Sequence, residues 1–70
     1  MPRLYSSRHI IRILNKYGFH EVSRKGSHAK LKNEAGRVVI VPDPKPEIPP
    51  GTFDSILKQS GLSKTDFAEK

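Results

Sequence analysis

The nine residues Arg24-Lys25-Gly26-Ser27-His28-Ala29-Lys30-Leu31-Lys32 gather four cations and one imidazole around a glycine. Each of these types answers a need of phosphodiester cleavage beside a ribose hydroxyl. The 2′-OH must lose a proton as its oxygen attacks phosphorus, the phosphate gains negative charge in the transition state, and the departing 5′-oxygen must be protonated. An imidazole, with an ordinary pKa of about 6.5, serves as base or acid near neutral pH. Ammonium, guanidinium and backbone N–H groups stabilise the growing charge, and a glycine lets a backbone approach closely. His28 is therefore the candidate catalytic group. Arg24, Lys25, Gly26, Ser27, Lys30 and Lys32 are the candidates for holding RNA. This chemistry asks for no metal and no small-molecule cofactor. No two histidines stand at i, i+4 on one helix face, and no carboxylate completes a ligand set. The competing reading is a surface histidine among solvating lysines, and a Gly-Ser-His triplet is too short to decide between them.

Other residues invite chemistry less strongly. Ser27 beside His28 is no serine-hydrolase pair, because neighbours in a strand point to opposite faces and no orienting acid is evident; it suits shaping the turn or bonding a phosphate. His9, in the first turn of a helix, and His20, just after Phe19, are expected to face solvent. Tyr5 and Tyr17 have rings that can stack on bases, but the position of Tyr17 on an apolar stripe assigns it to the core.

Charge supports a polyanionic partner. Thirteen Lys and Arg against seven Asp and Glu give a formal +6. Residues 1–37 carry nine basic side chains (Arg3, Arg8, Arg12, Lys16, Arg24, Lys25, Lys30, Lys32, Arg37) and two acidic ones, Glu21 and Glu34, so that half is +7 and the remainder −1. Such a one-sided field draws in nucleic acid at long range, although a solubilising surface has the same composition. Seventy residues without cysteine close one core without a disulfide staple, so residues 1–70 are read as a single domain. The longest apolar run, Val38-Val39-Ile40-Val41, is far below the roughly 20 residues a spanning helix needs. A soluble, cytoplasmic protein with no membrane partner is the expectation.

The elements that must position His28 follow from periodicity. Arg8 to Tyr17 reads as a helix: Ile10, Leu14 and Tyr17 fall at i, i+4, i+7 beside Ile11 and Ile13, one broad apolar stripe. Ser6 or Ser7 can cap its start, and Gly18 with Phe19 suits its end. Three strands are expected next, at about Glu21–Lys25 with Val22 inward, His28–Lys32, and Arg37–Val41. In the second, Ala29 and Leu31 alternate with His28, Lys30 and Lys32, giving one apolar and one cationic face. Asn33-Glu34-Ala35-Gly36 is a hairpin turn. The proline-dense stretch 42–50 must be extended. A second helix starts near Pro50–Thr52 and carries Phe53, Ile56 and Leu57, ending at Gly61-Leu62; Ser63-x-x-Asp66 opens a short last helix that docks Phe67. The fold class is α+β: an α-β-β-β-α order with a small terminal helix, helices on one side of an antiparallel sheet and the other side bare.

Gly26-Ser27-His28, Val39-Ile40-Val41-Pro42, Pro50-Gly51-Thr52 and Ser55-Ile56-Leu57-Lys58-Gln59-Ser60-Gly61-Leu62 fall in the order and rough spacing of HicA toxins, as does a first helix ending in Tyr17-Gly18-Phe19. The chain resembles that family over nearly its whole length. The resemblance implies a fold like the double-stranded RNA-binding domain, cleavage of messenger RNA, and a toxin–antitoxin pair in which a HicB-type protein covers the active site. It also implies that the histidine of the Gly-Ser-His motif, His28 here, is catalytic. Many chains resembling this one place a second histidine shortly after the Val-Pro of the third strand, where this sequence has Asp43; if that imidazole helps catalysis there, another group, Lys25, Lys30 or water, must supply the proton here.

One face of the third strand, Val38/Ile40 or Val39/Val41, must pack on the helices. The other then lies on the bare side near His28, Lys30 and Lys32, where exposed β-branched residues suit an antitoxin contact or simply reflect β-propensity. Two other functions compete. A non-catalytic double-stranded RNA binder shares the α-β-β-β-α order, but such domains use lysines at the start of the second helix, and Pro50-Gly51-Thr52-Phe53-Asp54-Ser55 has none. A DNA-binding or pure interaction module lacks a recognition helix with base-reading side chains.

Overall fold

The computed structural model describes residues 4–68. Helix α1 spans Ser7–Lys16, one residue earlier than its periodicity suggests, because Ser6 is the cap: its hydroxyl accepts the His9 N–H at 3.1 Å. Ile10, Ile13 and Leu14 are fully buried along one stripe. The helix stops where Gly18 takes φ +92°. There the Phe19 N–H reaches back to Leu14 O at 2.9 Å and the Gly18 N–H to Asn15 O at 3.1 Å, which satisfies the last carbonyls in a Schellman arrangement and turns Phe19 into the core. Tyr17, expected in that core, is instead 44% exposed and donates its hydroxyl to Asp66 Oδ1 at 3.1 Å. It occupies the cap position itself, and Phe19 fills the apolar site.

Strands β1 (His20–Lys25), β2 (His28–Lys32) and β3 (Val38–Pro42) form an antiparallel sheet in the order β1-β2-β3. Ala29 and Leu31 from β2 and Val39 and Val41 from β3 are fully buried and face the helices. The third strand starts one residue late because Arg37 turns away to the end of the second helix, α2 (Pro50–Ser60), donating to Gln59 O at 3.0 Å. Gln59 replies along the open edge of β3, its Oε1 accepting the Ile40 N–H at 2.8 Å. Val22, expected inward, is 56% exposed. The ladder pairs Glu21 with Leu31 and Ser23 with Lys30, so Val22 is the extra residue of a β-bulge. Both long helices pack against β3, and β1 supplies none of the buried core.

Residues 43–49 carry the chain back across the helical side, where Ile48 is buried and its N–H bonds Tyr5 O at 2.8 Å. Helix α2 buries Ile56 and ends at Gly61, φ +75°. Helix α3 (Lys64–Phe67) opens with Asp66 accepting the Ser63 N–H at 2.9 Å, and Phe67 closes the core edge-on to Phe53. His9, expected in solvent, is half-buried. Its ring stacks on Tyr5 at 4.7 Å, and its Nε2 lies 2.7 Å from Phe67 O. Its partners make it a tie between α1 and α3.

Candidate active site

A two-residue turn joins β1 to β2, with Gly26 at φ +57° in the first loop position, where a tight hairpin needs positive φ. A Cβ there would meet nothing within 4 Å, so the requirement is conformational and not one of space. The turn is anchored from its other side by the Asp43 N–H, which bonds Ser27 O at 2.8 Å and continues the β2–β3 ladder. Ser27 is exposed at the tip.

This turn sets the register, and the register builds the outer face. His28 pairs with Lys25 on β1 and Pro42 on β3; Lys30 sits between Ser23 and Ile40; Lys32 sits between His20 and Val38. Residues directly opposite share a face, with Cβ atoms about 4.5–5.5 Å apart, so these nine residues form three rungs on the side away from the helices. Lys25, His28, Lys30 and Lys32 are all exposed. Among the described residues, no hydrogen bond or ion pair engages the side chain of any of the four. An unpaired imidazole thus stands at the end of the central strand, with one ammonium across from it and two more along its own strand. These four side chains are open to solvent, suited to a polyanion. Two grooves, one lined by Tyr5, Ile48 and Phe53 and another by Arg8, Arg24, Asp43 and Lys45, lie elsewhere.

Arg24 is placed differently from the other sequence candidates. It pairs with Ala29 and so belongs to the helix side, where the bulge brings Glu21 onto the same face. Its guanidinium donates to Glu21 Oε2 at 3.1 Å and Oε1 at 2.9 Å, and to Asp43 O at 3.0 Å and Oδ2 at 2.9 Å. Asp43 also accepts from the Ser7 hydroxyl, while Ser7 Oγ accepts the Lys45 N–H at 2.9 Å. The Ser7 hydroxyl foremost, and then Arg24, hold the Asp43 carboxyl below its usual range against the opposing effect of partial burial. Glu21 and Asp43 in turn raise the Arg24 guanidinium above its ordinary value. Asp43 follows Pro42 in the strand direction and lies on the face opposite His28, where it serves as a joint between α1, β1 and the 43–45 loop.

Sequence reasoning put His28, Lys30 and Lys32 on one exposed face of β2, as the structure has them, but passed over two features. The direct pairing of Lys25 with His28 was readable from the two-residue turn, which fixes which residues face each other. The Ser7–Asp43–Arg24–Glu21 joint had no local signal, since its members are up to 36 residues apart. Among the described residues, no group of three or more His, Cys, Asp or Glu side chains is arranged to hold a metal ion, and no helix is long and apolar enough to cross a membrane. The start of α2 carries no cation and its cap residue, Pro49, makes no side-chain cap bond.

Comparison with known proteins adds one finding. The family model described as HicA toxin of bacterial toxin-antitoxin matches residues 7–62, from the first residue of α1 to just beyond the end of α2. No curated protein sequence matches the chain.

Proposed function

The chain belongs to the HicA toxin family of bacterial toxin–antitoxin systems, and from that premise we propose that it is an endoribonuclease that cuts messenger RNA in the cytoplasm with His28. One observation carries the reading: an exposed, unpartnered imidazole stands on an open sheet face among three unpartnered ammonium groups. Lys30 and Lys32 seat the RNA backbone, with Gly26 and Ser27 bringing the hairpin tip to the phosphate. His28 takes the proton of the 2′-OH as the 2′-oxygen bonds to phosphorus. The P–O5′ bond breaks, and its electron pair leaves on the 5′-oxygen, which takes a proton from water. The products are a 2′,3′-cyclic phosphate and a free 5′-hydroxyl. A DNA strand lacks the attacking hydroxyl and stays intact. The reaction draws on imidazole and fixed charge alone, so a chelator leaves its rate unchanged.

The test is His28→Ala. That protein keeps its fold and RNA affinity, while cleavage of single-stranded RNA drops by roughly 10²–10⁴-fold, the usual size of acid–base catalysis. Full cleavage by the variant overturns the assignment, and a wild-type chain that shifts duplex RNA uncut favours the binding module instead.

The partner follows from the same face. Ile40 is 37% exposed and Val38 half-buried, both beside the lysines, and a HicB-type antitoxin that presents apolar side chains with carboxylates fits that mixture. Threonine at both positions should weaken the complex without changing RNA cleavage by the free toxin. Unchanged antitoxin affinity removes this docking site.

A further inference from the structure

The register ranks the groups that can act beside His28. The rung holding His28 has two flanking positions: Lys25 on one side and Pro42 on the other. Asp43, next along β3, is turned to the opposite face and engaged by Ser7 and Arg24. Lys30 lies two residues along the same strand as His28, about 6.6 Å further on by strand rise, and Lys32 lies further still. Among the cations of the described residues, only Lys25 is paired directly across from His28, and its ammonium has no hydrogen bond or ion pair among them. The Gly26-Ser27 turn holds that pairing in register, since the turn closes on residues 25 and 28 themselves.

Resting on the ribonuclease reading above, we propose that Lys25 is a second catalytic residue, its ammonium contacting the non-bridging oxygens of the phosphate under attack, whereas Lys30 and Lys32 hold the neighbouring phosphates. As the 2′-oxygen adds, charge accumulates on those oxygens, and a fixed cation there stabilises the transition state more than the ground state. The proton lost from the 2′-OH goes to His28. The leaving 5′-oxygen is protonated by water, and the imidazolium returns its proton to the hydroxide so formed. Lys25 neither gives nor takes a proton. An arginine, which keeps the charge but does not release a proton near neutral pH, therefore substitutes for it in part.

The experiment compares wild type, Lys25→Ala, Lys25→Arg, Lys30→Ala and His28→Ala on a mixed-sequence single-stranded transcript. It reads the cleavage rate at saturating protein and, separately, affinity for a 2′-O-methyl RNA that has no attacking hydroxyl. Lys25→Ala should lower the saturated rate by roughly 10²–10³-fold, as loss of one oxyanion contact does, with affinity no weaker than in Lys30→Ala. Lys25→Arg should recover at least about ten-fold of that rate, as a retained cation requires. A saturated rate in Lys25→Ala near that of wild type, or a defect confined to affinity, overturns the proposal and leaves the ribonuclease intact. A Lys25→Arg rate as low as that of Lys25→Ala overturns the electrostatic role. Cleavage undiminished in His28→Ala instead removes the ribonuclease reading on which both stand.

Discussion

Arg24 and Lys25 are adjacent in the chain and carry the same charge, yet they belong to two different machines. On the helix side of the sheet, Arg24 is held by Glu21 and by Asp43 and, through Asp43, tied to Ser7. On the outer side, Lys25 stands with His28, Lys30 and Lys32, none of them engaged. Pairing rigidifies and uses up the charge on one face; leaving cations unpaired on the other keeps them available for a polyanion, at the cost of mutual repulsion.

The sharpest way to break that contrast is to change one residue on each face. His28→Ala should abolish most cleavage, by the roughly 10²–10⁴-fold given above, while its melting midpoint stays close to wild type because the side chain is exposed. Leu31, three residues on and fully buried, should behave oppositely. Leu31→Ala is expected to cost about 2–5 kcal/mol, comparable to the whole net stability of a domain this small, roughly 3–5 kcal/mol, and urea titration followed by circular dichroism would show it largely unfolded.

The joint on the helix side yields a pH signature. Asp43 has a depressed carboxyl pKa, so its contribution is present above the unfolded-state value of about 3.9 and is lost as pH falls through the lower folded value. Asp43→Asn should destabilise by about 1–2 kcal/mol at pH 7, the scale of a charge-assisted bond at a partly exposed site, and the gap to wild type should close as the pH drops below about 4. A gap that widens in acid would show that the carboxylate is not what the joint relies on. The smallest effect on stability belongs to the outer face: Lys32→Ala should move it by less than about 0.5 kcal/mol while reducing the slope of log affinity against log salt for single-stranded RNA by about 0.7.

Much of this was legible from local pattern. Alternation in His28–Lys32 separated the cationic from the apolar face, Gly18 and Gly61 marked helix ends, and Gly36 marked the hairpin, because each depends on interactions within a few residues. The misplacements have a common origin. Val22 was read inward from strand alternation, which a bulge interrupts; Tyr17 was read as core from helical spacing that ends at its own position; His9 was read as solvated because Phe67, whose carbonyl its ring meets, lies 58 residues away in the chain.

Sequence alone determined the chemistry offered, an imidazole and lysines around a glycine turn, and the order of elements that presents them, since residue type and short-range periodicity decide both. Which cation stands across from the imidazole follows from strand register. Which cation is withdrawn to the far side, and that Asp43 joins Ser7 to Arg24, were decided by tertiary structure, because those outcomes depend on contacts between residues far apart in the chain.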